Sequence, residues 1–476
     1  MNRKRTKIVA TISDKHCETG FIRELFEAGM DVIRINSAHL DIESALMIMK
    51  NAREVSDKIP FLIDTKGPEI RTTITDLPVS LKKGHKIKII GDPGSSTTAG
   101  CIFVTYKNFA SDIPIDSLIL IDDGELELKV VSKDGDCLNC LVENDGILGS
   151  RKSVNIPGIR ICLPSLNNKD REFIKMAIEN DVDFIAHSFV RSKQDVLDVQ
   201  AILDEAKSQV KIIAKIENQE GVDNIDEILD NVYGIMVARG DLAIEIPYEK
   251  IPGIQRMIIA KCIESRKPVI VATQMLHSMI SNPRPTRAEV SDVANAIYSQ
   301  TDAVMLSGET ANGMYPVEAV KTMTKVALEV ENNKEKFLEL SSGNYTGEVS
   351  AYLAKVAVKT SVKIHAKGII ADTVMGRTIR NMASYRGINL ILAQCYSVRT
   401  MRELALSYGV YTSYQEKKES VDEFINIALK NLTKTHGLTN DDIVLVLAGN
   451  FSKGRGFSFI EVGSVEYLKN RVSIKD

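Results

Sequence analysis

Short apolar runs rich in Val and Ile recur through the first two thirds of the chain, at residues 7–12, 32–37, 61–66, 184–189, 211–217, 234–241, 269–274 and 303–308. Between most of them apolar residues return every three or four positions, as at 21–28, 42–55, 193–207, 251–265 and 287–298. Runs of this length without alternation suit strands covered on both faces, and the longer period suits amphipathic helices. Strand-then-helix units repeated in this way predict an α/β fold, a closed (β/α)8 barrel of the TIM type.

The spacing breaks once. About a hundred residues separate the third run from the fourth. There the pattern alternates, as at 126–131, between turn signals such as Asp92-Pro93-Gly94, Asp122-Asp123-Gly124 and Pro157-Gly158. This texture predicts a β-barrel-like domain inserted into a barrel loop, and because such loops lie on the catalytic face the insertion is placed as a lid. The polar stretch 340–344 reads as a linker. Beyond it, strands at 368–371, 390–394 and 443–448 alternate with helices at 376–385, 399–408 and 420–436, the pattern of an open-sheet α/β domain. The expected division is 1–68 and 164–335 for the barrel, 69–163 for the lid and 336–476 for a C-terminal regulatory domain.

A chain of 476 residues exceeds what one core fills, in keeping with that division. Its 60 basic and 63 acidic side chains are interspersed, and the net charge of -3 offers neither a basic field for nucleic acid nor an acidic tail. No stretch resembles a membrane span, and the apolar run behind Arg3-Lys4-Arg5 is too short for a secretory signal. Seven cysteines without framework spacing point to a reducing, cytoplasmic setting. The one close pair, Cys137 and Cys140, has no second pair or nearby His to complete a zinc site and reads as part of a strand.

In a barrel of this kind the C-terminal strand ends face the active site. Here those ends are polar: Arg34 and Asn36, Asp64 with Thr65 and Lys66, Lys215 and Glu217, Arg239 with Asp241, Thr273 and Gln274, and Ser307 running into Glu309. Lys215 and Glu217 stand two apart, so a strand points both to one side. Glu217 and Asp241 come from neighbouring strands. Two carboxylates without His or Cys make a hard-oxygen site suited to Mg2+ or Mn2+, which takes its other ligands from water and substrate. Both could instead be structural partners of Lys215 and Arg239, but two such pairs on adjacent strand ends favour a site. With Arg34 and Arg71 the equipment suits a phosphorylated, carboxylated substrate and phosphoryl transfer, which needs positioning and charge neutralisation rather than a covalent nucleophile. A Schiff base on Lys215, as in barrel aldolases, is the competing chemistry, and a lysine beside carboxylates is better placed to stay charged. His187, beside Ser188, and His277 read as packed or solvated rather than catalytic.

Six strings in order make nearly the whole chain resemble the pyruvate kinase family. They lie at 64–72 (Asp-Thr-Lys-Gly-Pro-Glu-Ile-Arg-Thr), 211–218 (Lys-Ile-Ile-Ala-Lys-Ile-Glu-Asn), 234–242 (Gly-Ile-Met-Val-Ala-Arg-Gly-Asp-Leu), 272–276 (Ala-Thr-Gln-Met-Leu), 284–289 (Arg-Pro-Thr-Arg-Ala-Glu) and 305–310 (Met-Leu-Ser-Gly-Glu-Thr). The resemblance implies transfer of a phosphoryl group from phosphoenolpyruvate to ADP, giving pyruvate and ATP in glycolysis. It implies that Lys215 stabilises the enolate, that Glu217 and Asp241 hold Mg2+ or Mn2+, and that Arg34 and Arg71 carry substrate charge. Gly240, Asp241 and Thr273 would line the substrate carboxylate pocket, and Thr273 with Ser307 and Glu309 would deliver the proton. Asn36, His39 and Lys152 would meet the nucleotide. Asn36, Asp64 and the Thr65 carbonyl would hold K+, with which Glu69 is the residue type that goes. A homotetramer is likewise implied.

The chain departs from the family pattern where most members have Gly-Pro and it has Ser13-Asp14, so nucleotide preference is not carried over. Ala38 replaces a serine of the monovalent-cation site, leaving that site weaker or completed by water. Cys162 and Ala243 are further replacements, away from the central constellation. A catalytically silent binder on the same fold is the alternative these changes raise. Thr373, Gly376, Arg377 and Thr378 follow a strand and open a helix, the setting of a phosphate cradle or of a bare turn. Sugar-phosphate-activated relatives have Thr-Lys-Ser-Gly-Arg-Ser there, so a sugar-phosphate or nucleotide effector is an expectation of the resemblance, with 454–457 near the same pocket.

Overall fold

Val and Ile, whose branched side chains fit a pleated surface, recur along every strand of a closed parallel barrel. Its strands are β1 (Lys7–Ile12), β2 (Val32–Asn36), β3 (Phe61–Asp64), β4 (Phe184–His187), β5 (Lys211–Ile216), β6 (Gly234–Ala238), β7 (Val269–Ala272) and β8 (Ala303–Leu306), each paired with its neighbours and β8 with β1. The computed structural model describes residues 3–161, 163–333, 349–418, 420–449 and 459–470. The expected linker at 340–344, Cys162 and residues 454–457 lie outside them.

Alternation along each strand divides the barrel into two layers. Side chains such as Ile8, Ile33, Ile185 and Val237 pack outward under the helices. Val9, Val32, Leu62, Phe184, Ile213, Met236 and Ile270 fill the interior. Two of the barrel helices begin on side-chain caps as follows: Asp41 accepts from the Ser44 amide at 2.8 Å, and Thr286 and Glu289 form a reciprocal capping box at the head of Arg287–Tyr298.

The chain leaves the barrel after β3 and returns before β4. In between lie a seven-stranded sheet and a two-stranded one with their own apolar core, including Ile89, Ile102, Leu128 and Leu138. Cys137 and Cys140 both sit on the strand Cys137–Val142 and are unpaired. The C-terminal part is an open sheet in the order β11-β10-β9-β12-β13, from β9 (Ile369–Thr373), β10 (Ile391–Cys395), β11 (Val410–Tyr414), β12 (Ile443–Ala448) and β13 (Phe459–Ser464).

Several boundaries differ from the sequence reading, and most barrel strands end one or two residues before the apolar runs do. The run at 234–241 stops being strand at Ala238, and Arg239–Glu245 is helix. The physical reason is local: the Gly240 amide turns from the ladder to the Thr273 hydroxyl, 2.7 Å away. The helix expected over 399–408 ends at Leu404, and β11 follows it. Strands β11 and β13, at the two sheet edges, carry half-buried and polar positions that hide their period.

Candidate active site

Lys215, on β5 just before its end, is the hub of the barrel mouth. Its Nζ lies 2.9 Å from Asp64 Oδ1, 2.7 Å from Ser188 Oγ and 3.0 Å from Glu217 Oε1. Burial alone would lower its pKa, yet Asp64, Glu217 and Asp241 hold it above the ordinary lysine value, so the ammonium is fixed as a cation. Asp64 reaches across to Arg34, whose Nε is 2.7 Å from Oδ2 and whose Nη1 donates to Thr11 Oγ1 at 3.0 Å. Burial favours the neutral acid at Asp64, but Arg34 and Lys215 hold its carboxyl below the usual range. Two cations are thus aligned on one buried carboxylate. Ser188 joins them, donating to the Thr65 carbonyl at 2.6 Å while accepting from Lys215.

Glu217 Oε2 accepts from the Phe189 amide at 2.6 Å, whereas the buried Oε1 faces the Lys215 charge at 3.0 Å and has no hydrogen-bond partner among the described residues. Burial raises the carboxyls of both Glu217 and Asp241, with Lys215 opposing it. Two adjacent, partly desolvated carboxylates, one with a spare inward oxygen, fit a hard divalent cation.

Thr273 and Gln274 follow β7 with φ of 68° and 53°, the left-handed region that costs about 1–3 kcal/mol per residue and is rare for a β-branched side chain. The Thr273 hydroxyl donates to the Ala272 carbonyl at 2.7 Å and accepts from Gly240. Glu309 does not touch Thr273 by a hydrogen bond. Its carboxylate clamps two amides, Leu276 at 3.0 Å and Ser307 at 2.8 Å, tying the loops after β7 and β8 together.

On the opposite wall, Arg71 donates to Glu69 at 2.7 Å and to the Arg151 carbonyl at 2.8 Å, and Lys152 pairs with Asp122 at 2.5 Å. A cleft of about 770 Å³ runs between this wall and the barrel, lined by Arg71, Lys152 and Asp241 among others. Asn36 pairs in register with Asp64, with Thr65 next along the chain, so the three oxygen donors are contiguous; the Asn36 side chain accepts from the Ala38 amide at 3.1 Å. His39 is exposed at the barrel rim. Far from the mouth, Thr373 Oγ1 accepts from the Gly376 amide at 2.8 Å, Gly376 has φ 77°, and Arg377 and Thr378 open the next helix. Val374 and Met375 are exposed there.

The structure gathers Arg34, Asp64, Lys215 and Glu217 into one network and leaves Ser307 and Glu309 as a separate clamp. His187 is fully buried with neither ring nitrogen hydrogen-bonded among the described residues, and burial pushes it down to about 4, as a packed neutral histidine requires. His277 is exposed. Sequence reasoning passed over Ser188, although the strand-end rule that found Lys215 points to it as well.

The family model described as the pyruvate kinase barrel domain matches residues 3–320, and that described as the pyruvate kinase alpha/beta domain matches 352–462. The chain belongs to the pyruvate kinase family. It is 47% identical over 473 residues to a pyruvate kinase of Borreliella burgdorferi, covering 97% of this chain and 98% of that protein. A Staphylococcus epidermidis pyruvate kinase is 42% identical over 462 residues, covering 94% of this chain and 78% of the relative. The crystal structure of a pyruvate kinase from Cryptosporidium parvum superposes with a TM-score of 0.92 at 36% identity, covering 98% of this chain and 96% of that one. Pyruvate kinase membership makes the protein a glycolytic phosphotransferase that moves the phosphoryl group of phosphoenolpyruvate to ADP, giving pyruvate and ATP.

Proposed function

We propose that this transfer runs through Lys215 as the fixed cation at the phosphoryl group and the enolate oxygen. The observation that carries the reading is the Lys215 clamp, an ammonium held between Asp64, Ser188 and Glu217 at the barrel mouth. Arg34 shares Asp64 with it and binds phosphate charge. Glu217 and Asp241 would hold Mg2+ or Mn2+, which would supply charge neutralisation for phosphoryl transfer. Gly240, Asp241 and Thr273 face the substrate carboxylate, with Arg71 across the cleft.

Phosphoryl loss leaves the enolate of pyruvate, which takes a proton at C3. Thr273 delivers it through water, Ser307 and Glu309 holding the neighbouring loop. Asn36, His39 and Lys152 meet the nucleotide. Asn36, Asp64 and the Thr65 carbonyl would hold K+, with one side-chain oxygen fewer because position 38 is Ala38.

Residues 1–68 and 164–335 act as the catalytic barrel, 69–163 as the lid and 336–476 as the regulatory domain. Thr373, Gly376, Arg377 and Thr378 lie where the order of the C-terminal sheet reverses between β9 and β12, the crevice where open α/β sheets bind ligands, which supports an effector with phosphate groups. A homotetramer follows by family analogy. The six described cysteines are unpaired, which supports a cytoplasmic setting. Among the described residues no helix is long and apolar enough to cross a membrane.

A pyruvate-formation assay tests the reading, with the common nucleoside diphosphates, Mg2+ or Mn2+, with and without K+ and with sugar phosphates. Activity that needs the divalent cation and is lost in Lys215→Met is expected. Substrate binding without turnover by the wild type would overturn it.

A further inference from the structure

Arg239 makes more contacts than any role as a simple counter-ion requires. It opens the helix Arg239–Glu245 that carries Gly240 and Asp241, yet its guanidinium turns away from them to the loop after β7. Nη2 donates to the Thr273 carbonyl at 2.8 Å, Nε to the Ala272 carbonyl at 3.3 Å, and Nη2 also meets Met275 Sδ at 2.8 Å. Nη1 is anchored by Asp292 at 2.8 Å, on the helix Arg287–Tyr298. The side chain is 11% exposed.

These donors converge on a strained segment of the mouth, Thr273 and Gln274 at positive φ. Such a conformation persists only where its surroundings over-determine it. The planar fork meets two successive carbonyls of that segment from a fixed direction, which an ammonium on a flexible stem cannot do. The Ala272 carbonyl is also the acceptor of the Thr273 hydroxyl proton. Arg239 and the Thr273 hydroxyl thus share one carbonyl acceptor, so the guanidinium fixes the oxygen on which that hydroxyl is oriented.

We infer that Arg239 is a positioning residue for proton delivery: it holds the Thr273 loop in its left-handed conformation and so sets where the Thr273 hydroxyl points. The inference rests on the reading of Thr273 as the group that delivers the proton to C3. It predicts a split between the two halves of the reaction. ATP formation does not need protonation at the site, because enolpyruvate can leave and ketonise in water. Proton transfer at C3 does need the hydroxyl in place.

The test compares wild type with Arg239→Gln, Arg239→Lys and Thr273→Ala. Two rates are measured: exchange of the pyruvate methyl protons in D2O with Mg2+, K+ and ATP, followed by NMR, and ATP formation from phosphoenolpyruvate and ADP. Displacing a reacting group by about 1 Å costs on the order of 100-fold. Exchange in Arg239→Gln is therefore expected to fall by about that factor, ATP formation less than about 10-fold, and Mn2+ affinity to stay near wild type. Arg239→Lys, which keeps the charge opposite Asp292 without the fork, is expected to show the same split, and it carries the test if the Gln variant does not fold. Combining Arg239→Lys with Thr273→Ala is expected to add little to the exchange defect of Thr273→Ala alone.

Equal losses in both rates, or weakened Mn2+ binding, would mean a merely structural role and overturn the inference. So would additive effects in the double variant. Exchange lost in Thr273→Ala but retained in both Arg239 variants would sink the positioning role alone. Exchange retained in Thr273→Ala would remove the reading of Thr273 and this inference with it.

Discussion

Lys215 and Lys7 show one residue type driven in opposite directions by its surroundings. Lys215 is surrounded by carboxylates and stays charged, so Lys215→Met should cut ATP formation by about 100- to 1,000-fold, the range for removing one preorganised transition-state donor, while leaving Mn2+ bound. Lys7 is buried beneath the C-terminal sheet, donating to the Val410 carbonyl and facing the Tyr411 ring at 4.1 Å. Burial pushes it from 10.5 down to about 8, with Asp31 opposing. The unfolded chain then binds the extra proton between about pH 8 and 10.5, so the charge-burial cost is full below that window and stability from this group rises through it, by about 3 kcal/mol in all. Denaturant melts at pH 7.5 and 10, which cover most of that window, should show wild type gaining about 2 kcal/mol relative to Lys7→Met; a constant difference would refute it. Ala38 leaves Asn36 to accept a backbone amide. If K+ binds there, Ala38→Ser should lower the K+ concentration for half-maximal activity, and an unchanged value would place the cation elsewhere.

Some helices in this chain begin where the sequence supplies a cap. Thr286 and Glu289 belong to one of the strings that carried the family resemblance, and in the fold they form a capping box whose carboxylate also takes the Ser278 amide at 2.7 Å and its hydroxyl at 2.5 Å. That string is therefore partly a folding signal. Thr286→Ala should cost about 1 kcal/mol in a urea titration, with the active-site residues untouched. The helix at Arg239–Glu245 was not legible in the same way. The apolar run before it ends without a cap or breaker, and what stops the strand is the Thr273 hydroxyl of a neighbouring loop, a contact across 33 residues of sequence.

The C-terminal domain closes the floor of the barrel. Leu406 joins the interior layer of barrel side chains. Around it, Arg386 forks onto Asp302 at 2.5 and 2.8 Å, and Arg402 meets Asp183 at 2.7 Å, all four residues buried. Asp302→Asn would leave a buried guanidinium without its counter-ion and should cost about 3–5 kcal/mol. Leu406→Ala should cost about 2–5 kcal/mol and lower the melting of barrel and C-terminal domain together, as one calorimetric transition. A barrel that melted unchanged would refute the plug. The sequence by itself determined the barrel, the insertion, the open sheet and the polar strand ends, because burial on both faces imposes local periods and a strand end fixes which face its side chains take. Which partners those ends acquired was decided by the closed tertiary structure. Asp64 between Arg34 and Lys215, Ser188 beneath Lys215, Glu309 on two amides and Arg239 on the Thr273 loop are contacts between different strands and loops, and no period along one segment specifies them.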